Sequence, residues 1–227
     1  MQTEVQPVTA ARGGRGSLVI RDKTSDLSLA LATLSNHWAT GDDEYHLADL
    51  HVSGVFVDIG AHIGVVALAV LLDNPEARAI LVEPIPENMA LARQTMELNG
   101  LDERVTFVQA AVGTTQVRYG TDLDDRFVGN LGYNDGPTIA TEEVTLAQLV
   151  KMAGGHIDAL KTDCEGGEWS LLAEPEVADV ALIFGEWHGH HHDFSGPERL
   201  LDLLGPTHEV DVLSDDGGVG LFRAVRR

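Results

Sequence analysis

Two hydrophobic patterns alternate along most of the chain. Short continuous apolar runs, of which Val55–Val57 is an early example, are typical of strands that are buried on both faces of a parallel sheet. Between these runs lie segments with helical spacing, such as the amphipathic stretch Pro86–Leu98, which ends at Asn99 and Gly100 as a left-handed cap would end it. Repeated strand–helix units predict a doubly wound α/β sheet that binds its ligands at the carboxyl ends of the strands.

The same patterns place the individual elements. The predicted strands are Ser17–Ile20, Val55–Val57, Ala79–Val82, Val105–Val108, Ile157–Thr162, Val180–Trp187, His208–Leu213 and Val219–Val225. The predicted helices are Leu27–Leu34 after a cap at Thr24 or Ser25, a helix that starts at Gly64, Pro86–Leu98, Thr145–Met152, Glu168–Leu172, and a helix from a cap at Ser195 to Leu204. The last two strands form a hairpin, which adds an antiparallel strand to a mostly parallel sheet.

The 227 residues are most simply one domain with a substantial core and an N-terminal extension. Residues 1–16 are polar and glycine-rich, so we expect a disordered tail there. The polar segment Thr40–His46 is predicted to act as a lid, and the long stretch Val112–Gly136 to be an irregular, functional insertion. We therefore assign residues 1–50 to a tail and lid segment and residues 51–227 to the ligand-binding domain.

Composition narrows the classes of partner. The chain has 36 acidic and 15 basic residues, and its net charge of −21 works against binding to nucleic acids or anionic membranes. A solvated acidic surface would by itself explain this charge. The single cysteine, Cys164, excludes an internal disulfide, and the sequence shows neither a signal peptide nor a run of about 18 apolar residues. We expect a cytoplasmic protein with a small-molecule substrate; a homo-oligomer is also consistent with the sequence.

The first buried strand leads into a glycine-containing turn that is typical of a nucleotide site. Gly60 can adopt a positive φ, Gly64 lets the next helix pack closely on the strand, and backbone N–H groups around Ala61 are expected to face the ligand. A dinucleotide fingerprint would have glycine where His62 stands, so a pyrophosphate would fit poorly. Asp58 could accept hydrogen bonds from a ligand ammonium group, directly or through water, and S-adenosylmethionine carries such a group.

Glu83 follows the second strand, roughly 20 residues beyond the glycine turn, at the spacing of a carboxylate that accepts both hydroxyls of a ribose. The alternative is a surface carboxylate that stabilises a helix start, a role that suits Glu87 better. Topology also places Gln109, Ala110 and Ala111, at the end of the third strand, beside the adenine.

Asp163 and Glu165 form a second polar cluster, at the end of the fourth strand, and their carboxylates are expected to face the ligand crevice. Three roles are consistent with this position: binding the methionine end of the cofactor, binding a divalent cation, and orienting a substrate hydroxyl. Glu168 is explained by the start of a helix alone. Lys161 is predicted to be a structural ion-pair partner, and the acidic neighbours of Cys164 disfavour its thiolate.

A histidine-rich cluster follows the fifth strand. His188 lies two residues after Glu186 and so faces the same side if the strand continues, where it is a candidate general base for a hydroxyl. His190, His191 and His192 have no fixed metal-ligand spacing and are typical of a polar loop that binds metals adventitiously.

These motifs together resemble the FkbM family of S-adenosylmethionine-dependent methyltransferases, from about Val55 to Trp187. The matching motifs are VDIGAHIG, VEPIPEN with a later Asn-Gly-Leu, AAVG, LKTDCEGGEWSLL and GEWHG. One departure is His62, where the family usually has asparagine. The resemblance implies the class I methyltransferase fold, which is Rossmann-like, and an S-adenosylmethionine site.

The resemblance also implies O-methylation of a hydroxyl on a sugar or other secondary metabolite. In this scheme the glycine turn and Glu83 bind the cofactor. Asp163 and Glu165 position either the cofactor or a cation, and His188 takes the proton. A divalent metal bound by the carboxylates could instead acidify the hydroxyl. The alternatives are an N-methyltransferase or a nucleotide-sugar enzyme on the same fold, and a non-catalytic S-adenosylmethionine-binding module.

Overall fold

The computed structural model describes residues 2–34, 45–119, 129–130, 137–189 and 196–227. Several predicted features therefore lie outside the described residues: most of the proposed lid, the centre of the predicted insertion, the run His190–His192, and the cap at Ser195.

The described strands and helices follow the predicted alternation. The strands are β1 (Thr3–Thr9), β2 (Arg15–Arg21), β3 (Val55–Ile59), β4 (Arg78–Val82), β5 (Val105–Val108), β6 (Ala110–Ala111), β7 (Gln116–Tyr119), β8 (Gly129–Asn130), β9 (Thr138–Ala140), β10 (Glu142–Glu143), β11 (Ala159–Thr162), β12 (Leu182–His188), β13 (His208–Val212) and β14 (Val219–Arg226). The α-helices are α1 (Asp26–Leu34), α2 (Val65–Asp73), α3 (Pro86–Leu98), α4 (Leu146–Met152), α5 (Glu168–Leu172) and α6 (Pro197–Leu204). No helix in this part of the chain is both long and apolar enough to span a membrane.

Seven strands form the central sheet, in the order β13-β14-β12-β11-β3-β4-β5. Neighbouring strands from β12 to β5 are parallel, and the hairpin β13–β14 joins the sheet through an antiparallel pairing of β14 with β12. The predicted mostly parallel sheet with an antiparallel C-terminal hairpin is therefore confirmed. The chain order reverses between β3 and β11, which is the point where open α/β sheets form their ligand crevice.

The sheet lies between two helical layers, because alternate side chains of each strand point to opposite faces. In β3, Phe56 enters one apolar cluster, whereas Val57 and Ile59 enter the other. The first cluster contains β2 and helices α1 to α3, and the second contains α4 to α6.

The expected disordered tail at residues 1–16 is wrong, because β1 pairs with β2 along its full length. The turn between these strands is held by Arg12, which donates hydrogen bonds to the backbone oxygen of Asp73 and to Asn74 Oδ1, at 2.6 and 2.8 Å. In β2, Leu18 and Ile20 are buried in the core. Polar composition suggested disorder, but β1 is held by backbone hydrogen bonds, which need few apolar side chains.

The predicted insertion Val112–Gly136 is also more regular than expected. Strand β7 pairs antiparallel with both β8 and β9 and forms a small separate sheet. Val117 of β7 is buried, which fixes this sheet against the main body near the carboxyl ends of the central strands.

Candidate active site

A cavity of about 260 Å³ lies at the carboxyl ends of the central strands, beside the switch point. Most of the residues predicted from sequence line it: Gly60, Ala61, His62, Glu83, Ala110, Ala111, Asp163 and Glu165. The wall is completed by side chains that the sequence did not single out, among them Leu29, Tyr45, Val66, Val117 and Glu186. One part of the cavity is therefore apolar and another carries carboxylates.

The glycine turn has the predicted backbone shape but not the predicted free donors. Gly60 has a φ of +73°. Its N–H and that of Ala61 both donate to the carbonyl oxygen of Val82, each at 3.0 Å, and the N–H of His62 donates to Glu83. A turn with these N–H groups already bonded is poorly suited to a polyphosphate, which agrees with the missing central glycine of the dinucleotide fingerprint.

Both glycines of the turn are closely packed, Gly60 much more tightly than Gly64. A Cβ atom on Gly60 would lie 1.7 Å from the backbone oxygen of Asp163, so the turn after β3 touches the turn after β11. Gly64 has a φ of +85°, and a Cβ there would lie 3.3 Å from Ala92 Cβ and 3.2 Å from Met96 Cε. Gly64 therefore lies against α3, and its predicted role in packing α2 on the strand stays a prediction.

Glu83 connects the turns after β3 and β4. One carboxylate oxygen accepts a hydrogen bond from His62 N at 2.9 Å, and the other accepts from Ile85 N at 2.8 Å and Asn88 Nδ2 at 3.3 Å. The residue is only 4% exposed yet lines the cavity, and this burial raises the pKa of Glu83 to about 7. A carboxylate oxygen has two lone pairs, so acceptor capacity remains for a ligand in the cavity.

The N-terminal hairpin reaches the site through a buried ionic network. The Arg21 guanidinium donates to Asp26 at 2.8 and 2.9 Å and to Asn88 Oδ1 at 2.7 Å, and lies 3.1 Å from His62 Nε2. Burial lowers the pKa of His62 to about 4, so that its ring is neutral near pH 7. His62 has a φ of +50°, a conformation that histidine and asparagine tolerate better than most residues.

Lys161 lines the cavity and contacts both the turn after β3 and the turn after β11. Its Nζ donates to the backbone oxygen of Gly60 at 2.9 Å and is 3.4 Å from a carboxylate oxygen of both Asp58 and Asp163. Burial opposes the charged form of Lys161, but the Asp163 and Asp58 carboxylates outweigh it and raise the pKa above its ordinary value. The structure therefore places Lys161 in the ion pairs predicted for it.

Asp58 does not occupy the predicted position. Its side chain is fully buried, and the ammonium group beside it is that of Lys161 instead of a ligand. Asp163 does line the cavity, where it accepts a hydrogen bond from the Tyr45 hydroxyl at 3.1 Å. Burial acts to raise the pKa of Asp163, but the charges of Lys161 and His188 hold it below the ordinary value.

His188 is 3% exposed and lies among three carboxylates. Its Nδ1 is 2.8 Å from Glu168 Oε1, and its Nε2 is 3.4 Å from Glu186 and 3.6 Å from Glu165. Burial disfavours the imidazolium, yet hydrogen bonds to Glu168 and Glu186 raise the pKa of His188 to about 11. The carboxylates around His188 therefore favour its protonated form, and its role as general base stays a prediction.

The carboxylates around His188 differ in their exposure to the cavity. Glu165 and Glu186 line it with side chains that are each 22% exposed, and burial raises the pKa of both, to about 7 for Glu165. Glu168 is fully buried and accepts hydrogen bonds from His188 N at 2.6 Å and Gly166 N at 3.0 Å. Burial and the Glu168 charge raise the pKa of Cys164, in agreement with the predicted inert thiol.

The third predicted strand end is only partly at the site. Ala110 and Ala111 are buried and line the cavity, because β6 pairs with β10 and turns the chain inward. Gln109 is exposed and lies outside the lining, which corrects its predicted place beside the adenine.

Sequence reasoning placed Glu186 on the same side as His188 but gave it no role, and it missed Glu168 as part of the site. The Glu-x-His spacing on a strand was a usable signal for Glu186, since both side chains point to one face. Glu168 was assigned to a helix start, where it does lie, but its carboxylate turns inward to His188. Tyr45 and Arg21 carried no signal of their own, because the site residues that they contact, Asp163 for Tyr45 and His62 for Arg21, are distant in sequence.

Comparison with known proteins agrees with this geometry. A family model described as the methyltransferase FkbM domain matches residues 58–214, which is more than half of the chain. No curated protein sequence matches the chain.

Among solved structures, the chain is similar to the N-terminal domain of EvdMO1 with S-adenosylhomocysteine (SAH) bound, at 18% identity and a TM-score of 0.50, over 77% of this chain and 75% of that one. It is similar to M. capricolum TrmK in complex with SAH at 11% identity and a TM-score of 0.50, over 79% of this chain and 65% of that one. The chain also matches the structure of EvdMO1 at 18% identity and a TM-score of 0.49, over 77% of this chain and only 38% of that one. The two likenesses with a TM-score of 0.50 establish a shared fold.

Proposed function

Because the chain belongs to the FkbM methyltransferase family, we propose that it transfers the methyl group of S-adenosylmethionine to a hydroxyl group of a small molecule. S-adenosylmethionine supplies an activated methyl group on a sulfonium, so the protein mainly has to align an acceptor oxygen and manage one proton.

The observation that carries this proposal is the buried carboxylate of Glu83. It lines the cavity, it is fixed by three hydrogen bonds from the protein, and it retains acceptor capacity. One lone pair of this carboxylate remains, on the oxygen that accepts from His62 N, and a ribose hydroxyl can donate to it. The apolar residues beside it, among them Val66, Ala110 and Ala111, suit the flat face of a purine.

The acceptor is proposed to bind against the carboxylates on the opposite side of the cavity. Asp163, Glu165 and Glu186 line the cavity and can accept hydrogen bonds from hydroxyl groups. Orienting a substrate hydroxyl is one of the three roles that the sequence leaves open for Asp163 and Glu165. Carboxylates close to an amine would stabilise its protonated form, which has no lone pair to attack a methyl group. This favours oxygen over nitrogen as the methyl acceptor.

Sugars and other polyhydroxylated metabolites fit this arrangement best, because adjacent hydroxyl groups can bind two carboxylates at once. The net charge of −21 disfavours a nucleic acid acceptor. The predicted division at residue 50 is refined in this proposal, since the N-terminal hairpin contributes Arg21 to the network behind the donor site.

Replacing Glu83 with glutamine tests the donor site. We expect SAH to bind the wild-type protein, and the Glu83→Gln variant to bind it about 10 to 100 times more weakly, because hydrogen bonds to a charged group contribute roughly 1.5–3 kcal/mol. Isothermal titration calorimetry measures both affinities. The matched control is Glu87→Gln, which removes an exposed carboxylate from the same helix start and should change nothing.

The same proteins test the reaction when they are incubated with methyl-¹³C-labelled donor and a panel of sugars, phenols and amines. We expect a mass increase of one methyl group on hydroxyl acceptors, and the ¹³C shift of the product separates O-methyl from N-methyl. Product at nitrogen would show an N-methyltransferase. Donor binding without turnover on any acceptor would favour a binding module, and no donor binding would contradict the proposed function.

Donor affinity should also depend on pH through Glu83. Without a ligand the carboxyl group has a pKa of about 7, whereas a ribose hydroxyl that donates to it favours its ionised form. Binding therefore releases a proton below pH 7, and we expect wild-type affinity for SAH to rise about tenfold, relative to Glu83→Gln, between pH 5.5 and 8. Of the groups near Glu83, His62 has a pKa of about 4 and Lys161 stays protonated. Glu165, which lines the same cavity and has a pKa of about 7, titrates in both proteins, so the comparison with Glu83→Gln cancels its contribution. Parallel pH profiles for the two proteins would refute the assignment.

A further inference from the structure

We propose that Asp163, Glu186 and His188 bind a divalent cation in the wall of the cavity. If the proposed function holds, this cation lies on the acceptor side and binds the hydroxyl that is methylated.

The first support is the convergence of three ligand atoms from two adjacent strands. Strands β11 and β12 are parallel neighbours in which Thr162 pairs with Gly185, so Asp163 and Glu186 follow at the same level. His188 comes two residues later on the same face of β12 as Glu186. One ligand atom from each of the three residues lies within 4.8 Å of the others. Ligands that surround a cation at about 2.0–2.5 Å lie roughly 3–5 Å from one another, so small side-chain shifts complete the site.

The second support is the orientation of His188, whose two ring nitrogens have different neighbours. Nδ1 lies 2.8 Å from Glu168 Oε1, and Glu168 is itself fully buried and held by the backbone N–H groups of Gly166 and His188. A buried carboxylate that accepts the Nδ1 proton fixes the orientation of the ring, and a cation that displaces the proton on Nε2 would bind to the lone pair left there, as in carboxylate–histidine–metal arrangements. Nε2 faces Glu186 and Glu165, at 3.4 and 3.6 Å.

The third support is the excess of negative charge around this point. Four acidic side chains, those of Asp163, Glu165, Glu168 and Glu186, lie beside His188 and Lys161, and Lys161 also serves Asp58. Among the described residues, the acidic groups Asp58, Asp163, Glu168 and Glu186 outnumber the basic groups Lys161 and His188 that they contact, and an excess of buried carboxylates is costly. A divalent cation would add positive charge at this point.

The ligand set indicates the class of metal. One imidazole nitrogen with carboxylate oxygens suits Mn²⁺, Fe²⁺ or Zn²⁺ better than Ca²⁺, which prefers oxygen ligands alone. Asp163 and Glu186 both line the cavity, so a cation held by them has coordination positions open to the acceptor. A bound hydroxyl would become more acidic there, and Glu165 lies close enough to the cluster to accept its proton.

Direct titration with Mn²⁺ tests the site without any donor or acceptor. The chelator-treated full-length chain is titrated with MnCl₂ and free Mn²⁺ is followed by electron paramagnetic resonance. We expect the wild type to bind one Mn²⁺ per chain, and Glu186→Gln and His188→Gln to bind it at least 10-fold more weakly. Glu168→Gln removes only the group that orients the His188 ring, and we expect its Mn²⁺ affinity to fall 10- to 100-fold. Circular dichroism and thermal unfolding show which variants are folded.

Two controls separate this site from adventitious binding. Glu87→Gln removes an exposed carboxylate, and a triple variant with alanine at His190, His191 and His192 removes the histidine run; both should bind Mn²⁺ like the wild type. The proposal is overturned if the wild type binds no Mn²⁺, or if only the triple variant loses it. It is also overturned if the folded Glu186→Gln protein binds Mn²⁺ normally. SAH calorimetry on the same samples separates a failure of the metal site from a failure of the proposed function. If the protein binds SAH but not Mn²⁺, the metal site is contradicted and the proposed function stands. If it binds Mn²⁺ but not SAH, the metal site stands and the proposed function is contradicted.

Discussion

Alanine at Gly60 should abolish donor binding and destabilise the protein by several kcal/mol. The added Cβ would lie 1.7 Å from the backbone oxygen of Asp163, and neither partner is a flexible side chain that could move aside. The φ of +73° adds a penalty of about 1–2 kcal/mol for any residue with a Cβ. Relief of the clash would separate the turn after β3 from the turn after β11. The first turn carries His62, which donates to Glu83, and the second carries Asp163, so the donor site would be distorted.

Gly100 provides a matched control for this substitution. Its φ is +66°, close to that of Gly60, but a Cβ there meets no atom within 4 Å. Gly100→Ala should therefore cost only about 1 kcal/mol and leave SAH affinity unchanged. Urea unfolding and SAH calorimetry on the three proteins measure the difference. Equal destabilisation by the two substitutions would show that backbone conformation alone, and not the contact between the turns, makes Gly60 necessary.

The elements that periodicity could predict are those with strong local signals. Helix α3 has the predicted bounds, Pro86–Leu98, because proline at its first turn and Asn-Gly after its end mark both termini. The buried strands agree within two residues, since each is a short apolar run between turn residues. Strand β1 was missed because backbone hydrogen bonds to β2 hold it in place. Neither amino-acid composition nor hydrophobic periodicity predicts such a pairing.

The same limit applies to the site residues: local motifs predicted some of their positions, but contacts between residues distant in the chain could not be predicted. Motif spacing placed Glu83, Asp163 and Glu165 at the cavity, because strand ends in a parallel sheet share one edge. It could not show which side of a strand end faces the ligand, so Asp58 and Gln109 were placed wrongly. Nor could it show that His188 lies among three carboxylates, since Glu165 and Glu168 are about 20 residues away along the chain and become its neighbours only through the pairing of β11 with β12.

The second large effect is expected from Arg21, which joins the N-terminal hairpin to the donor site. Its side chain is almost fully buried, makes a two-point contact with the equally buried Asp26, and donates to Asn88, which in turn donates to Glu83. Arg21→Met would leave the Asp26 carboxylate buried without its main counter-charge, and we expect the free energy of unfolding to fall by about 3–5 kcal/mol. SAH affinity should fall as well, because Asn88 and His62 lose the group that orients them.

Two further variants test this explanation. Arg15→Met changes an exposed arginine on the same strand and should have little effect. The double variant Arg21→Met/Asp26→Leu removes both charges, and we expect it to recover most of the lost stability, because apolar residues can replace a buried ion pair at little cost. It should not recover SAH affinity, since Asn88 and His62 still lack the guanidinium. If stability and affinity returned together, packing alone would explain the contribution of Arg21; if affinity stayed low in a stable protein, the hairpin would be a positioning element of the donor site.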